Sequence, residues 1–161
     1  MKFKVLLLAI GAGIMCSFSV DEIKGKVVSV LDGNTVEVLT TEGERRRILL
    51  HGIDSPDSGQ NFSEPAKALL QKLVYEKEIT LIIHGKDRKG NPLGELQVAG
   101  KPDPRRELIR QGLAWTTETI ADFESVKESA RKQGIGLWSE ENPMPPWVFR
   151  RQQTMLAPKA M

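Results

Sequence analysis

Apolar and polar residues alternate with a period of two along several stretches of the chain, which predicts strands. Ile23 to Val30 and Thr35 to Thr40 are rich in β-branched residues and flank Asp32-Gly33-Asn34, a turn sequence, so the two runs read as a hairpin. Glu42-Gly43 makes the next turn, and Glu44 to Ile53 returns as a third strand. The period then changes. Ala66, Leu69, Leu70, Leu73 and Val74 fall three and four residues apart, one apolar face of a helix, with Ser63 as its cap and Pro65 in its first turn. Glu78 to Ile83 is a fourth strand, and Leu93 to Val98, after the break at Asn91-Pro92, is a fifth.

Beyond Gly100 helical signals take over. Pro104 starts a helix and Gly112 ends it; another runs from about Phe123 to Gln133 and stops at Gly134. Pro143, Pro145 and Pro146 predict an extended segment pinned by Trp147, and residues 151–161 a disordered tail. Three strands, a helix and two more strands describe a five-stranded barrel of the oligonucleotide-binding type. The fold class is therefore α+β, mainly β: a barrel with one inserted helix and two C-terminal helices.

The N-terminus sets the domain boundary. Lys2 and Lys4 precede an apolar run from Val5 to Met15, and the small residues Ser17 and Ser19 suit cleavage before Val20. Residues 1–19 read as a signal peptide, residues 20–150 as one domain, and the protein as secreted or periplasmic with no stable membrane span once the leader is gone. Two alternatives stay open: an uncleaved membrane anchor, and a lipoprotein acylated at Cys16, although Gly13-Ile14-Met15 is a poor lipidation box. Cys16 is the single cysteine, so loss of the leader removes the only thiol and argues against thiol catalysis, disulfides and cysteine-ligated zinc. The full chain carries 23 Lys and Arg against 21 Asp and Glu; loss of Lys2 and Lys4 leaves basic and acidic residues in equal number. That balance argues against a general DNA-coating protein and permits a local basic patch.

Chemistry concentrates in two acidic turns, Leu31-Asp32-Gly33-Asn34-Thr35-Val36 and Gly52-Ile53-Asp54-Ser55-Pro56-Asp57. A barrel can bring both to one rim. Carboxylates and carbonyls there can hold a hard divalent cation, and the last acid can orient a water. The same residues also have plain structural uses. Asp32 and Asn34 suit a hairpin turn, and Asp54 can bond the amides that follow it. His51 and His84 read as strand residues, and Trp115 and Trp138 as helix-end packing. Arg105, Arg106 and Arg110 read as the polar face of a helix. Arg45, Arg46 and Arg47 read as a solvated strand face balanced by Glu42 and Glu44, or as a phosphate-binding stripe.

In combination, VLDGNTVEV, GIDSPD, GQNFSEPAKALLQKL, LIRQGLAW and ARKQGIGLWSEENP resemble the staphylococcal nuclease (thermonuclease) family, from about Lys24 to Trp147. The resemblance implies a Ca²⁺-dependent enzyme that cuts DNA and RNA. It implies Asp54 as a Ca²⁺ ligand, Ser55 as a carbonyl ligand, Asp32 as the first acid of the first turn, and Asp57 as the carboxylate that works on water. Departures are severe. Asn34 stands where the family has its other principal Ca²⁺-binding aspartate, and Asp57 stands where it has glutamate. Leu49 and Asn91 occupy the places of both catalytic arginines. The base-stacking tyrosines are missing as well: Lys89 holds one matching place, Thr-Thr-Glu-Thr-Ile follows Trp115, and Tyr75 is the only tyrosine.

Loss of a preorganised oxyanion donor costs roughly 10²–10³ in rate, and loss of an arginine on a transferring phosphoryl about 10³–10⁵. A catalytically impaired homologue follows, with a barrel that binds nucleic acid or another partner and holds Ca²⁺ weakly if at all. The alternative is an active Ca²⁺-dependent nuclease with relocated cations. Arg47 points to the same side of its strand as Leu49, about 7 Å further along, and Arg88 or Lys89 lies beside Asn91. The sequence leaves the oligomeric state open.

Overall fold

Val36 pairs with Val30 across the first turn and with Ile48 across the second, so one inward apolar row runs through three strands. The computed structural model describes residues 22–156. In chain order the elements are β1 (Glu22–Val30), β2 (Thr35–Thr40), β3 (Arg45–Leu50), β4 (Ile53–Asp54), α1 (Ser63–Val74), β5 (Glu78–Lys86), β6 (Pro92–Gln97), α2 (Pro104–Arg110), β7 (Trp115–Thr116), α3 (Ala121–Lys132), a 3₁₀ turn (Gly136–Ser139) and α4 (Pro146–Leu156). Five strands close into a barrel in the order β1-β2-β3-β6-β5. All pairings are antiparallel except β3 with β6, which run parallel at Leu49–Leu93 and Leu50–Gly94. The expected barrel is present.

Alternation explains the core. Val27, Val36, Val38, Ile48, Leu50, Leu81 and Leu96 point inward and are almost fully buried. Ala66, Leu70 and Val74 of α1 close the barrel from one side, and Leu108 and Ile109 of α2 add to the same core. Full burial of a Leu, Ile or Val side chain contributes about 1.5–3 kcal/mol.

Four features differ from the sequence pattern. The third strand does not run on to Ile53. Gly52 takes a φ of 79°, which lets the chain turn after β3, and β4 leaves the barrel to pair with β7. Asp54 therefore lies on a separate two-stranded sheet, opposite Trp115. Helix α1 starts without the expected cap: Phe62, at φ 66°, precedes it, and Ser63 is already helical and caps nothing. Arg105 is not on a solvated face but is 5% exposed. Its guanidinium lies 2.7 Å from both Glu95 and Asp103, and it stacks over Phe123. Last, residues 146–156 form α4 where an extended segment and then a disordered tail were expected; Pro146 sits in the first turn, where its missing N–H costs nothing. The expectations for residues 1–19, including Cys16, lie outside the described residues.

Candidate active site

The first turn is held by its own residues. Asp32 Oδ1 accepts the Asn34 amide at 2.7 Å, and Leu31 N–H donates to the Thr35 carbonyl at 2.9 Å. The second turn is stapled to it: buried Ser55 donates its hydroxyl to the Gly33 carbonyl at 2.9 Å. Only glycine fits at position 33, because a Cβ there would lie 2.6 Å from that of Ala66 and 2.9 Å from that of Ser55. Thus α1, β4 and the hairpin turn are packed into one rigid corner.

An open cleft of about 400 Å³ lies over this corner. Asp32, Asn34, Asp54, Ser55 and Asp57 all line it, as do Leu49 and Asn91. The two acidic turns have met at one rim. Arg47 does not line the cleft; its guanidinium is 3.9 Å from Glu37 on the neighbouring strand. Arg88 does not line it either, whereas Lys89 does. The Asn91 amide group donates to Asp87 Oδ2 at 2.9 Å, and the backbone amides of Asn91 and Lys89 both donate to Asp87 Oδ1 at 2.8 Å. These bonds, the Asn91 side chain foremost, hold the Asp87 carboxyl below the usual range. Asn91 is thereby a turn-building residue.

Three charged lining residues were not among the expected site residues: Asp87, Glu118 and Arg150. Arg150, on α4, is the most consequential. Its Nη2 donates to Asp54 Oδ2 at 2.6 Å, and its Nη1 lies 3.3 Å from Asp54 Oδ1 and 2.9 Å from Asp57 Oδ1. Burial pushes the Asp57 carboxyl up, and the charge of Arg150 only partly offsets this; Asp54 and Asp32 add to the upward push. The hydrogen bond to Asp54 in turn raises the Arg150 guanidinium. The signal that points to this helix is Pro146 followed by a breaker-free run to Leu156.

Beside the cleft, His51 and His84 stack face to face, with ring centroids 4.2 Å apart. Nε2 of His51 is 3.1 Å from Glu118, and that of His84 is 3.4 Å from Glu95. Burial lowers the His51 pKa, and Glu118 opposes it. Trp115 and Trp138 meet edge to face at 4.8 Å, as packing residues do.

The divalent cation implied by the resemblance does not fit this donor set as it stands. Asp54, the carboxylate ligand that the resemblance implies, and Asp57, the acid meant to work on water, are both engaged by one guanidinium. Asn34 brings no charge; its Oδ1, buried with no hydrogen-bond partner among the described residues, is an open neutral acceptor and does not replace the carboxylate charge that Arg150 has taken up.

Barrel, inserted helix and acid-lined rim together are those of a nuclease-like barrel protein. The family model for staphylococcal nuclease homologues matches residues 47–140. An uncharacterized endonuclease of Escherichia coli is 33% identical over 135 residues, covering 82% of this chain and 88% of the relative. A micrococcal nuclease of Shigella flexneri is 32% identical over 161 residues, covering 90% and 92%. An uncharacterized endonuclease of Haemophilus influenzae is 34% identical over 131 residues, covering 80% and 73%. The chain belongs to the staphylococcal nuclease family.

Proposed function

We propose that this family member has strongly reduced hydrolysis and binds nucleic acid on the outer face of its barrel, beside the cleft. The observation that carries the reading is that Leu49 and Asn91 line the cleft. Neither can give phosphate a cationic, bidentate grip. The cations that do line the cleft are Lys89 and Arg150, set against Asp32, Asp54, Asp57, Asp87 and Glu118. A phosphodiester entering that field meets net negative charge, and the guanidinium in the cleft, that of Arg150, is already engaged by Asp54 and Asp57.

Binding is assigned to the outward row of β3, which supplies what the cleft lacks. Arg45 and Arg47 follow Leu49 along this row, with side chains 69% and 61% exposed. Their contacts with Glu37, at 4.0 and 3.9 Å, are long and solvated, so both remain available to phosphate. Export belongs to the same proposal: residues 1–19 serve as the leader, and the released protein begins at Val20. No described helix is long and apolar enough to cross a membrane.

The test uses protein purified free of contaminating nuclease. Cleavage of single-stranded DNA with Ca²⁺ is expected to run at least about 10³-fold below that of a complete site. Binding of the same strand, read by fluorescence anisotropy, is expected to weaken with salt and with Arg45→Ala and Arg47→Ala. Rapid cleavage that Asp57→Ala abolishes would replace this reading with that of a working nuclease using Lys89 or Arg150 as its cation.

A further inference from the structure

The structure assigns Arg150 the place of the divalent cation: its guanidinium is a built-in counter-ion that closes the Asp54–Asp57 pair to metal. The inference rests on the reading of the cleft given above and adds the device that governs access to its acids.

The contact has the geometry of a specific fork. Nη1 and Nη2 face the two oxygens of Asp54, at 3.3 and 2.6 Å. Nη1 also spans both oxygens of Asp57, at 2.9 and 3.2 Å. One planar group thus engages all four carboxylate oxygens of the pair. A hard cation held by these acids would need the same oxygens, so the two occupants exclude each other. An isolated surface ion pair would be a weak obstacle, because two long side chains lose freedom to form it. Here the side chains of Asp54 and Asp57 are 13% and 32% exposed, and one guanidinium serves both.

The backbone that carries Arg150 is fixed independently of the acids. Gln60 Nε2 donates to the Met144 carbonyl at 2.9 Å, and Asn61 Nδ2 donates to Glu140 Oε1 at 2.6 Å. The Phe149 ring approaches Gly59, and the Trp147 ring meets that of Trp115 edge-on at 5.8 Å. The first two contacts tie the segment leading into α4 to the loop after Asp57, and the two rings tie the first turns of α4 to that loop and to the strand opposite Asp54. Arg150 is therefore carried to the acids by a helix anchored at its first turns, and a metal that uses these oxygens must displace it.

The charge balance gives the expected consequence. A single positive charge on two carboxylates makes the pair tolerable without metal and lowers the gain from a divalent ion. Removal of the guanidinium leaves two adjacent acids with no cation and should create affinity where the native chain has little.

The experiment is calorimetric titration of CaCl₂ into the full chain, with terbium luminescence as a second readout. Arg150→Gln keeps a polar side chain on the helix surface without the charge or the reach of the guanidinium and is expected to tighten Ca²⁺ binding roughly tenfold or more over the native chain. Ca²⁺ should then raise the melting temperature of the variant and leave that of the native chain unchanged. Asp54→Asn in the Arg150→Gln background should remove the gain. Arg150→Lys, which keeps the charge without the fork, should lie between, and it carries the comparison if circular dichroism shows Arg150→Gln unfolded. Equal Ca²⁺ affinity in the native chain, Arg150→Gln and Arg150→Lys overturns the inference. Cleavage is scored separately. Tight Ca²⁺ binding by the native chain without cleavage sinks the counter-ion and leaves the impaired nuclease standing. Fast cleavage by Arg150→Gln with newly gained Ca²⁺ binding does the reverse.

Discussion

Ser55 and Gly33, 22 residues apart, are joined by a 2.9 Å hydrogen bond that locks the two acidic turns into one rim. The bond is buried, so its loss strands a carbonyl that water cannot reach. Ser55→Ala is expected to cost about 1–3 kcal/mol in urea unfolding. Gly33→Ala, which drives a methyl against Ala66, is expected to cost about 1–3 kcal/mol. A loss below a few tenths of a kcal/mol in both would show that the rim is not rigid.

The cleft predicts how hydrolysis can be regained. Leu49→Arg with Asn91→Arg places guanidinium groups at the two lining positions that lack charge, and Ca²⁺-dependent cleavage of DNA should rise. Asn34→Asp and Asp57→Glu should raise it further. Asn91→Arg also removes the amide bond to Asp87, so the turn before β6 is expected to loosen and the gain to fall short of a complete site. No gain in the quadruple variant, with folding intact by circular dichroism, would mean that the missing arginines are not what limits the reaction.

Arg105 predicts a large effect on stability and none of its own on chemistry. It sits between Glu95 and Asp103 at 2.7 Å each, donates to the His51 carbonyl at 3.3 Å, and packs over Phe123. Burial pushes the Glu95 carboxyl up, but hydrogen bonds from Gln97 and Arg105, with the charge of Arg105, outweigh it and hold the carboxyl below the usual range. Arg105→Ala should cost about 3 kcal/mol, because two half-buried acids lose their partner. Arg105→Lys should recover part of that, since lysine restores charge without the fork. An effect under about 1 kcal/mol for the alanine variant would mean that water satisfies both acids.

Acid sensitivity is predicted at His51. His51 is held below its ordinary pKa by burial, with the nearby charges of His84 and Arg105 acting the same way and Glu118 against them. An unfolded chain then binds more protons at this residue than the folded one. Its contribution to stability is present above the ordinary histidine range and is lost as pH falls through that range to the folded pKa. A histidine NMR titration should place His51 below a free histidine, and Glu118→Gln should lower it further. A His51 pKa at or above the free value would refute this.

The barrel was legible because alternation, turn chemistry and the α1 face all point to the same arrangement, and the meeting of Asp32 and Asn34 with Asp54 and Asp57 follows from it. Hidden features depend on partners distant in sequence. Helical spacing assigns Arg105 to solvent, yet Glu95 on β6 makes it a buried counter-charge. Three prolines near residue 145 suggest a halt, although Pro146 begins a helix. Arg150 lies 96 residues from Asp54, beyond the reach of any local pattern.

That separation also orders events at birth. Synthesis runs from the N-terminus, and the strands and the first three helices all precede α4. A nascent barrel can close and set its rim while the clasp is still unmade. For that interval Asp54 and Asp57 face the cleft with no arginine between them, and any divalent ion nearby meets a naked acid pair. Among the described elements α4 is the last to emerge, so the acid pair receives its arginine after the rim around it has been made.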